Sequence, residues 1–272
     1  MQEKSLVHKM KFSSLFNMFS LDNASSVNII AGPCSVESVE QMNTIAQKLK
    51  QNDVHFIRGG AYKPRTSPYA FQGLGIEGLK IMKQICDTYS LISVSEIMDP
   101  RDVAKALEYI DIIQIGARNM YNVPLLKEIG KTSHPVILKR GLMSTLKEFL
   151  LAAEYIISEG NQNLILCERG IRTFEDSTRN TLDISSIAII MNETSLPVIV
   201  DLSHSLGWKD IIIQIAKSVM ALGVDGIMIE VHNKPHAALS DENQQLSLDE
   251  FQSLFDHIKT FKTSCSDFTI TL

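Results

Sequence analysis

Read for its period, the chain alternates two kinds of segment eight times over. Short, nearly unbroken apolar runs occur at VNIIAG (27–32), HFIRGG (55–60), LISVSE (91–96), DIIQIG (111–116), PVILKRG (135–141), NLILCERG (163–170), LPVIVDLSH (196–204) and DGIMIEVH (225–232). A run that is apolar throughout, and not alternating, suits a strand covered on both faces, as in a parallel sheet. Between these runs lie stretches of helical period. In VEQMNTIAQKLKQN (39–52), Met42, Ile45, Ala46 and Leu49 form one stripe with polar residues opposite. STLKEFLLAAEYIISEG (144–160) starts on the cap-type residues Ser144 and Thr145 and stops at Gly160. Similar patterns predict helices over 75–89, 101–109, 122–130, 180–194, 208–222 and 248–262.

Eight βα units in succession predict an α/β protein, a (β/α)8 TIM barrel over residues 27–272 preceded by a short N-terminal extension, residues 1–26. An open doubly wound sheet is the structural rival, but it seldom uses so regular a count. GLGIEG (73–78) matches the GxGxxG dinucleotide fingerprint, yet it follows the loop PYAFQ and not a strand, which argues against that use. In the extension, KMKFSSLFNMF mixes lysine with apolar and aromatic residues, the pattern of an amphipathic helix or of a strand plugging the barrel floor. Glu3 and the absence of arginine there weigh against a targeting peptide.

Composition narrows the partners. The 272 residues carry 31 acidic and 26 basic side chains, a formal charge of -5, which gives no support for a nucleic-acid partner or an anionic membrane surface. No apolar run approaches the ~20 residues that span a bilayer. The four cysteines are scattered with no CxxC pairing, the usage of reduced thiols in a cytoplasmic protein.

The polar residues at the strand ends carry the chemistry, because a barrel of this type keeps its site at the carboxyl ends of its strands. The first strand ends at Gly32-Pro33-Cys34-Ser35, the seventh at Asp201-Leu202-Ser203-His204, and the eighth at Glu230-Val231-His232 with Asp241 beyond. Closure makes the eighth strand a neighbour of both the seventh and the first. Cys34, His204, Glu230 and Asp241 can therefore converge, and a thiolate, an imidazole and two carboxylates suit a divalent transition metal acting as a Lewis acid. Taken singly, each has a blander reading: a cysteine after proline is commonly a small buried apolar residue. His55, His134 and His236 fit the set poorly. The other arc is cationic, with Arg58, Lys63, Arg65, Arg118, Lys139, Arg140, Arg169 and Arg172 following apolar strands directly. Guanidinium forks and lysine ammonium groups bind phosphate and carboxylate oxygens, and this number exceeds what one phosphate needs. At least two anionic groups beside a metal are expected.

These motifs give a specific resemblance. AGPCS (31–35), KPRTSP (63–68), IGAR (115–118), LKRG (138–141), CERG (167–170), DLSH (201–204), and IEVH with ALSD (229–232 and 238–241) resemble, in order and over nearly the whole barrel, 3-deoxy-D-arabino-heptulosonate-7-phosphate (DAHP) synthase. The likeness is to the subgroup with GGAYKPRTSPYAFQGLG. It implies a metal-dependent aldol-type condensation of phosphoenolpyruvate with erythrose 4-phosphate, giving DAHP and phosphate, the first step of the shikimate pathway to aromatic amino acids.

Residue by residue, the resemblance puts the metal on Cys34, His204, Glu230 and Asp241. It puts phosphoenolpyruvate on Arg58, Lys63, Arg118, Lys139 and Arg169, and the sugar phosphate on Arg65 and Thr66, with Arg118 between the two. Lys63 is the expected proton donor or water organiser, on the ground that a lysine in a crowded cationic site can have a depressed pKa. Glu96 either positions water or pairs with a nearby arginine, and His204 is grouped with these two as catalytic. The donor set admits manganese, iron, cobalt or zinc. A homodimer or homotetramer is the expected assembly, and an appended regulatory domain is not expected in so short a chain. The nearest rival is 3-deoxy-D-manno-octulosonate 8-phosphate synthase, which typically reads KANRSS where this chain reads KPRTSP. A non-catalytic phosphosugar-binding barrel is the rival of another class. Lys234 and His236 have no assigned role.

Overall fold

The computed structural model describes residues 5–9, 11, 28–65 and 67–265. Eight parallel strands close into one barrel in chain order: β1 (Asn28–Gly32), β2 (Phe56–Arg58), β3 (Ile92–Glu96), β4 (Ile112–Ile115), β5 (Val136–Lys139), β6 (Leu164–Glu168), β7 (Val198–Asp201) and β8 (Gly226–Glu230). Closure is made by β1 against β8, with Gly32 opposite Glu230. Every strand residue is buried except Ile92 at the start of β3, as the unbroken apolar runs require.

Two apolar layers hold the barrel. Inside, Ile30, Phe56, Val94, Ile112, Ile137, Ile165, Ile199 and Met228, one from each strand, pack with Cys167 into a solid plug. Outside, the opposite strand faces meet the apolar stripes of the helices. These are α2 (Val39–Gln51), α3 (Ile76–Tyr89), α4 (Val103–Ala106), α5 (Val123–Gly130), α6 (Leu146–Ser158), α7 (Ile184–Glu193), α9 (Ile212–Ala221) and α10 (Leu248–Cys265). The stripe expected on α2 is the buried one, and α6 opens on a capping box between Thr145 and Glu148.

Two expectations change. The seventh apolar run does not stay extended to residue 204. Strand β7 stops at Asp201, whose carboxylate accepts the His204 backbone N–H at 3.0 Å, and a short helix α8 (Leu202–Leu206) follows until Gly207 ends it in left-handed backbone. The helix expected over 101–109 shortens to a 3-10 turn and α4, and that over 208–222 likewise begins with a 3-10 turn at Lys209–Ile211. In the extension, α1 (Leu6–Lys9) lies against α6 in the helical layer. Its Leu6 and Val7 N–H groups donate to Glu154 on α6 at 2.7 and 3.1 Å. Most of KMKFSSLFNMF lies outside the described residues. GLGIEG follows a loop and opens α3, so its glycines start an outer helix. Among the described residues no helix is long and apolar enough to cross a membrane.

Candidate active site

The carboxyl end of the barrel holds a cleft of about 220 Å³, lined by Arg58, Lys63, Arg65, Glu96, Gln114, Arg118, Lys139, Arg169, Arg172, Arg179, Asn180, His204 and Asp241, with Pro64, Gly116, Ala117 and Leu142. Cys34 and Glu230, both fully buried, lie just beneath it.

Three of the four expected donors, the thiol and the two carboxylates, form one group, and the imidazole stands beside the carboxylates. Cys34, Glu230 and Asp241 offer ligand atoms all within 4.8 Å of one another. The Cys34 thiol is 3.2 Å from Asp241 Oδ2. His204 Nε2 lies 3.5 Å from Glu230 Oε1 and 3.8 Å from Asp241 Oδ2. Its other nitrogen, Nδ1, sits 2.8 Å from Asp201 Oδ2, near enough for an ion pair but without hydrogen-bond alignment. Asp241 takes a left-handed backbone, φ 49°, which an aspartate adopts only when its surroundings hold it there.

The electrostatics of this cluster suit a divalent cation. Burial would raise the Glu230 carboxyl, but His204, Arg58 and Lys63 outweigh it and hold it far below the usual carboxylate range. Burial likewise opposes the Asp201 charge, and His204 with Lys139 overcomes it. Burial lowers the His204 pKa, and the Asp201 and Glu230 carboxylates oppose it without fully offsetting it. The Cys34 thiol is pushed up to about 12, chiefly by burial and then by Glu230. A coordinated cation reverses that logic, since a coordinating thiol is deprotonated outright. The four residues could therefore hold one ion of mixed S/N/O preference.

The cations divide into paired and unpaired groups. Arg58 donates to Glu230 Oε1 at 2.6 Å in a fully buried ion pair, and Lys139 contacts Asp201. Lys63 Nζ donates to the Cys34 carbonyl at 2.9 Å and to its sulfur at 3.0 Å. Burial disfavours the Lys63 ammonium, but Cys34 and Glu230 more than compensate, so its pKa is raised. The expectation of a depressed pKa is thus corrected: the lysine has acidic neighbours within the cationic arc. Arg169 donates to the His204 carbonyl at 3.1 Å. Arg65, held by the Phe71 carbonyl at 3.0 Å, keeps Nη2 buried with no partner among the described residues. Arg118 and Arg172 are exposed on the cleft wall. Thr66 lies outside the described residues.

Arg140 leaves the expected arc. Its guanidinium turns away from the cleft to Glu168 at 2.8 Å and Asp183 at 3.0 Å, because β5 alternates its faces and Lys139 already occupies the inward one. Glu96 makes no arginine pair among the described residues; its Oε1 is buried, unpartnered and in the cleft wall. Gly116 makes this possible, since a Cβ there would stand 2.0 Å from that oxygen. His55 and His134 are half-buried and His236 exposed, none of them in the cleft lining.

Sequence reasoning missed the second tier of the site. After β8 the chain folds back so that Leu246 pairs with Val231, and this turns two glutamines inward. Gln245 accepts the Cys34 N–H at 2.9 Å, and Gln244 donates to Glu230 Oε2 at 2.5 Å. Glu37, after β1, accepts the Leu239 N–H at 2.9 Å and lies 3.3 Å from His232, tying the β8 loop to the β1 loop. Asn180 donates to the His204 carbonyl at 2.8 Å. Nothing in ENQQLS, a polar stretch ordinary for an exposed loop, marks these glutamines as buried.

The model of the DAHP synthetase I family matches residues 20–265, nearly the whole chain. The chain belongs to the DAHP synthetase I family. Within it, a phospho-2-dehydro-3-deoxyheptonate aldolase of Thermotoga maritima is 52% identical over 231 residues, 85% of this chain and 68% of that protein. The crystal structure of a phospho-2-dehydro-3-deoxyheptonate aldolase (DAHP synthase) of Thermotoga maritima superposes with a TM-score of 0.90 at 45% identity, covering 97% of this chain and 78% of that one. A 2-dehydro-3-deoxyphosphooctonate aldolase of Geobacter sulfurreducens, from the rival group, is 30% identical over 85% of this chain and 90% of its own length. The DAHP synthase likeness is thus much the stronger of the two.

Proposed function

We propose that this barrel condenses phosphoenolpyruvate with erythrose 4-phosphate and water to DAHP and phosphate, with a divalent ion held by Cys34, His204, Glu230 and Asp241. One observation carries the reading: Cys34, Glu230 and Asp241 offer donor atoms close to one another, with His204 beside both carboxylates, beneath a cleft whose facing wall is built of arginine and lysine. A barrel that merely bound phosphosugars would have no use for the donor cluster.

When bound, the ion supplies Lewis acidity to the acceptor's carbonyl oxygen. The donor set admits manganese, iron, cobalt or zinc. The protein does the rest. Arg58, Lys63, Lys139 and Arg169 hold the carboxylate and phosphate of phosphoenolpyruvate, and Arg65, Thr66 and Arg118 hold the sugar phosphate. C3 of the enol phosphate then faces the aldehyde carbon; as that C–C bond forms, positive charge develops at C2. Glu96, unpaired and buried, orients the water that adds at C2 and accepts its proton. The C2 hydroxyl then collapses to the ketone as the C2–O bond to phosphate breaks, and the departing phosphate takes the hydroxyl proton. The proton on Glu96 balances the one delivered to the acceptor oxygen. Lys63, charged at rest, gives an Nζ proton to the oxygen of the former aldehyde and is recharged by the proton that Glu96 took from water.

The test is phosphate release from phosphoenolpyruvate with erythrose 4-phosphate or arabinose 5-phosphate, before and after chelation. Turnover with erythrose 4-phosphate that stops on chelation and returns with Mn²⁺ is expected. Preference for arabinose 5-phosphate would move the chain to the octulosonate reaction, and no turnover with either sugar would leave a binding barrel.

A further inference from the structure

Arg179 lies in the long loop between β6 and α7, outside every motif that the sequence reading used, and the substrates as placed above make no use of it. Its half-exposed guanidinium, in the same cleft lining as Arg169 and Arg172, makes its contacts on the acidic side. Nη1 donates to Gln244 Oε1 at 2.5 Å and lies 3.4 Å from Asp241 Oδ1. Gln244, itself buried, donates from its amide nitrogen to Glu230 Oε2 at 2.5 Å. One guanidinium thus reaches both carboxylates of the donor cluster, Asp241 directly and Glu230 through a single glutamine.

The surrounding backbone is built for this reach. Arg179 N–H donates to the Leu206 carbonyl at 2.9 Å and Asn180 N–H to the Ser205 carbonyl at 2.9 Å, so the β6 loop runs alongside the helix that carries His204. Gly207, at φ 64°, clears the path of the side chain, since a Cβ there would stand 2.7 Å from the Arg179 Cβ. The two carboxylates also come from places that need fixing. Asp241 sits in a strained loop residue, and Glu230 has its other oxygen claimed by Arg58 at 2.6 Å.

We propose that Arg179 and Gln244 form a positioning relay that holds the carboxylates of Asp241 and Glu230 in metal-binding orientation, and that Arg179 is not a substrate-anion ligand. The inference rests on the ligand set proposed above. Groups that orient metal ligands in this way typically change metal affinity by about 10- to 100-fold when removed. Because Arg179 acts on Glu230 through Gln244, the two losses overlap and do not add.

The experiment titrates metal-stripped protein with Mn²⁺, following the free-ion electron paramagnetic resonance signal, in the wild type, Arg179→Ala, Arg179→Lys, Gln244→Leu and the double variant. Thermal melting of the metal-free proteins runs alongside. The expected result is a roughly tenfold or greater loss of Mn²⁺ affinity in Arg179→Ala and Gln244→Leu. The double variant loses less than the product of the two, metal-free melting of Arg179→Ala matches the wild type, and the sugar-phosphate KM at saturating Mn²⁺ stays unchanged. Lysine, a point charge without the fork, restores affinity only in part. Unchanged Mn²⁺ affinity in Arg179→Ala with a raised KM would overturn the relay and make Arg179 an anion ligand, leaving the metal site intact. A wild type that binds no Mn²⁺, or a Cys34→Ala variant that binds it as well as wild type, would instead overturn the ligand set beneath it.

Discussion

At the amino ends of the strands, acidic side chains serve the backbone. Asp111 accepts the Ser93 N–H at 2.8 Å and its hydroxyl at 2.7 Å, and Asp225 accepts the Val198 N–H at 2.8 Å. At the carboxyl ends of the same barrel, Asp201, Glu230 and Asp241 face charges: Lys139 and His204, Arg58, and Arg179 respectively. The first arrangement ties the starts of neighbouring strands together through neutral backbone and hydroxyl donors. The second buries opposed charges at a density that well-packed apolar residues would match or exceed in stability. What the contrast teaches is that the carboxyl end is organised for chemistry at a cost in stability, while the amino end carries the fold.

Substitutions can break or sharpen that contrast. The largest effect is expected for Lys63→Met, which removes the buried donor beside Cys34. Turnover should fall by about 10²- to 10⁴-fold with circular dichroism and melting little changed. Undiminished steady-state kinetics would remove Lys63 from the chemistry. Arg140→Ala tests the exception, a strand-end arginine that turned outward. It leaves Glu168 buried without its partner, a loss of about 3–5 kcal/mol, read as a melting midpoint lower by about 10 °C. Its KM for phosphoenolpyruvate at low temperature should stay near the wild-type value. A raised KM with normal melting would return Arg140 to the cationic arc. The smallest effect belongs to Asp225→Asn at the amino end. The amide oxygen still accepts from Val198, so denaturant unfolding should shift by about 1 kcal/mol or less, with kcat unaltered. A drop in kcat there would dissolve the distinction between the two ends.

The eight strands were legible because each is buried on both faces, and unbroken apolar runs such as NIIAG and GIMIE record that directly. The donor cluster was legible for a topological reason: once β8 closes on β1, the residues that end β7, β8 and β1 have to share one arc. Turns were harder. Nothing in the apolar pattern of LPVIVDLSH marks the change from strand to helix, which Asp201 imposes by capping its own successor residues. The outward turn of Arg140 depends on which face of β5 it occupies, a one-residue matter that composition does not resolve. Gln244, Gln245 and Arg179 escaped notice because their partners lie on other loops, and no local period reports a contact of that kind.

The cluster also bears on how the molecule is made. Cys34 and Asp241 are 207 positions apart, and Arg58 and Glu230 are 172 apart. A polypeptide still emerging from the ribosome therefore has no complete pocket until its last strand is released, and contacts so remote in sequence are slow to form. An ion that is captured only by the finished ring favours that ring by mass action. The same reasoning applies to any ligand that needs both ends of the chain: it can favour only the closed barrel, never a shorter stretch of it.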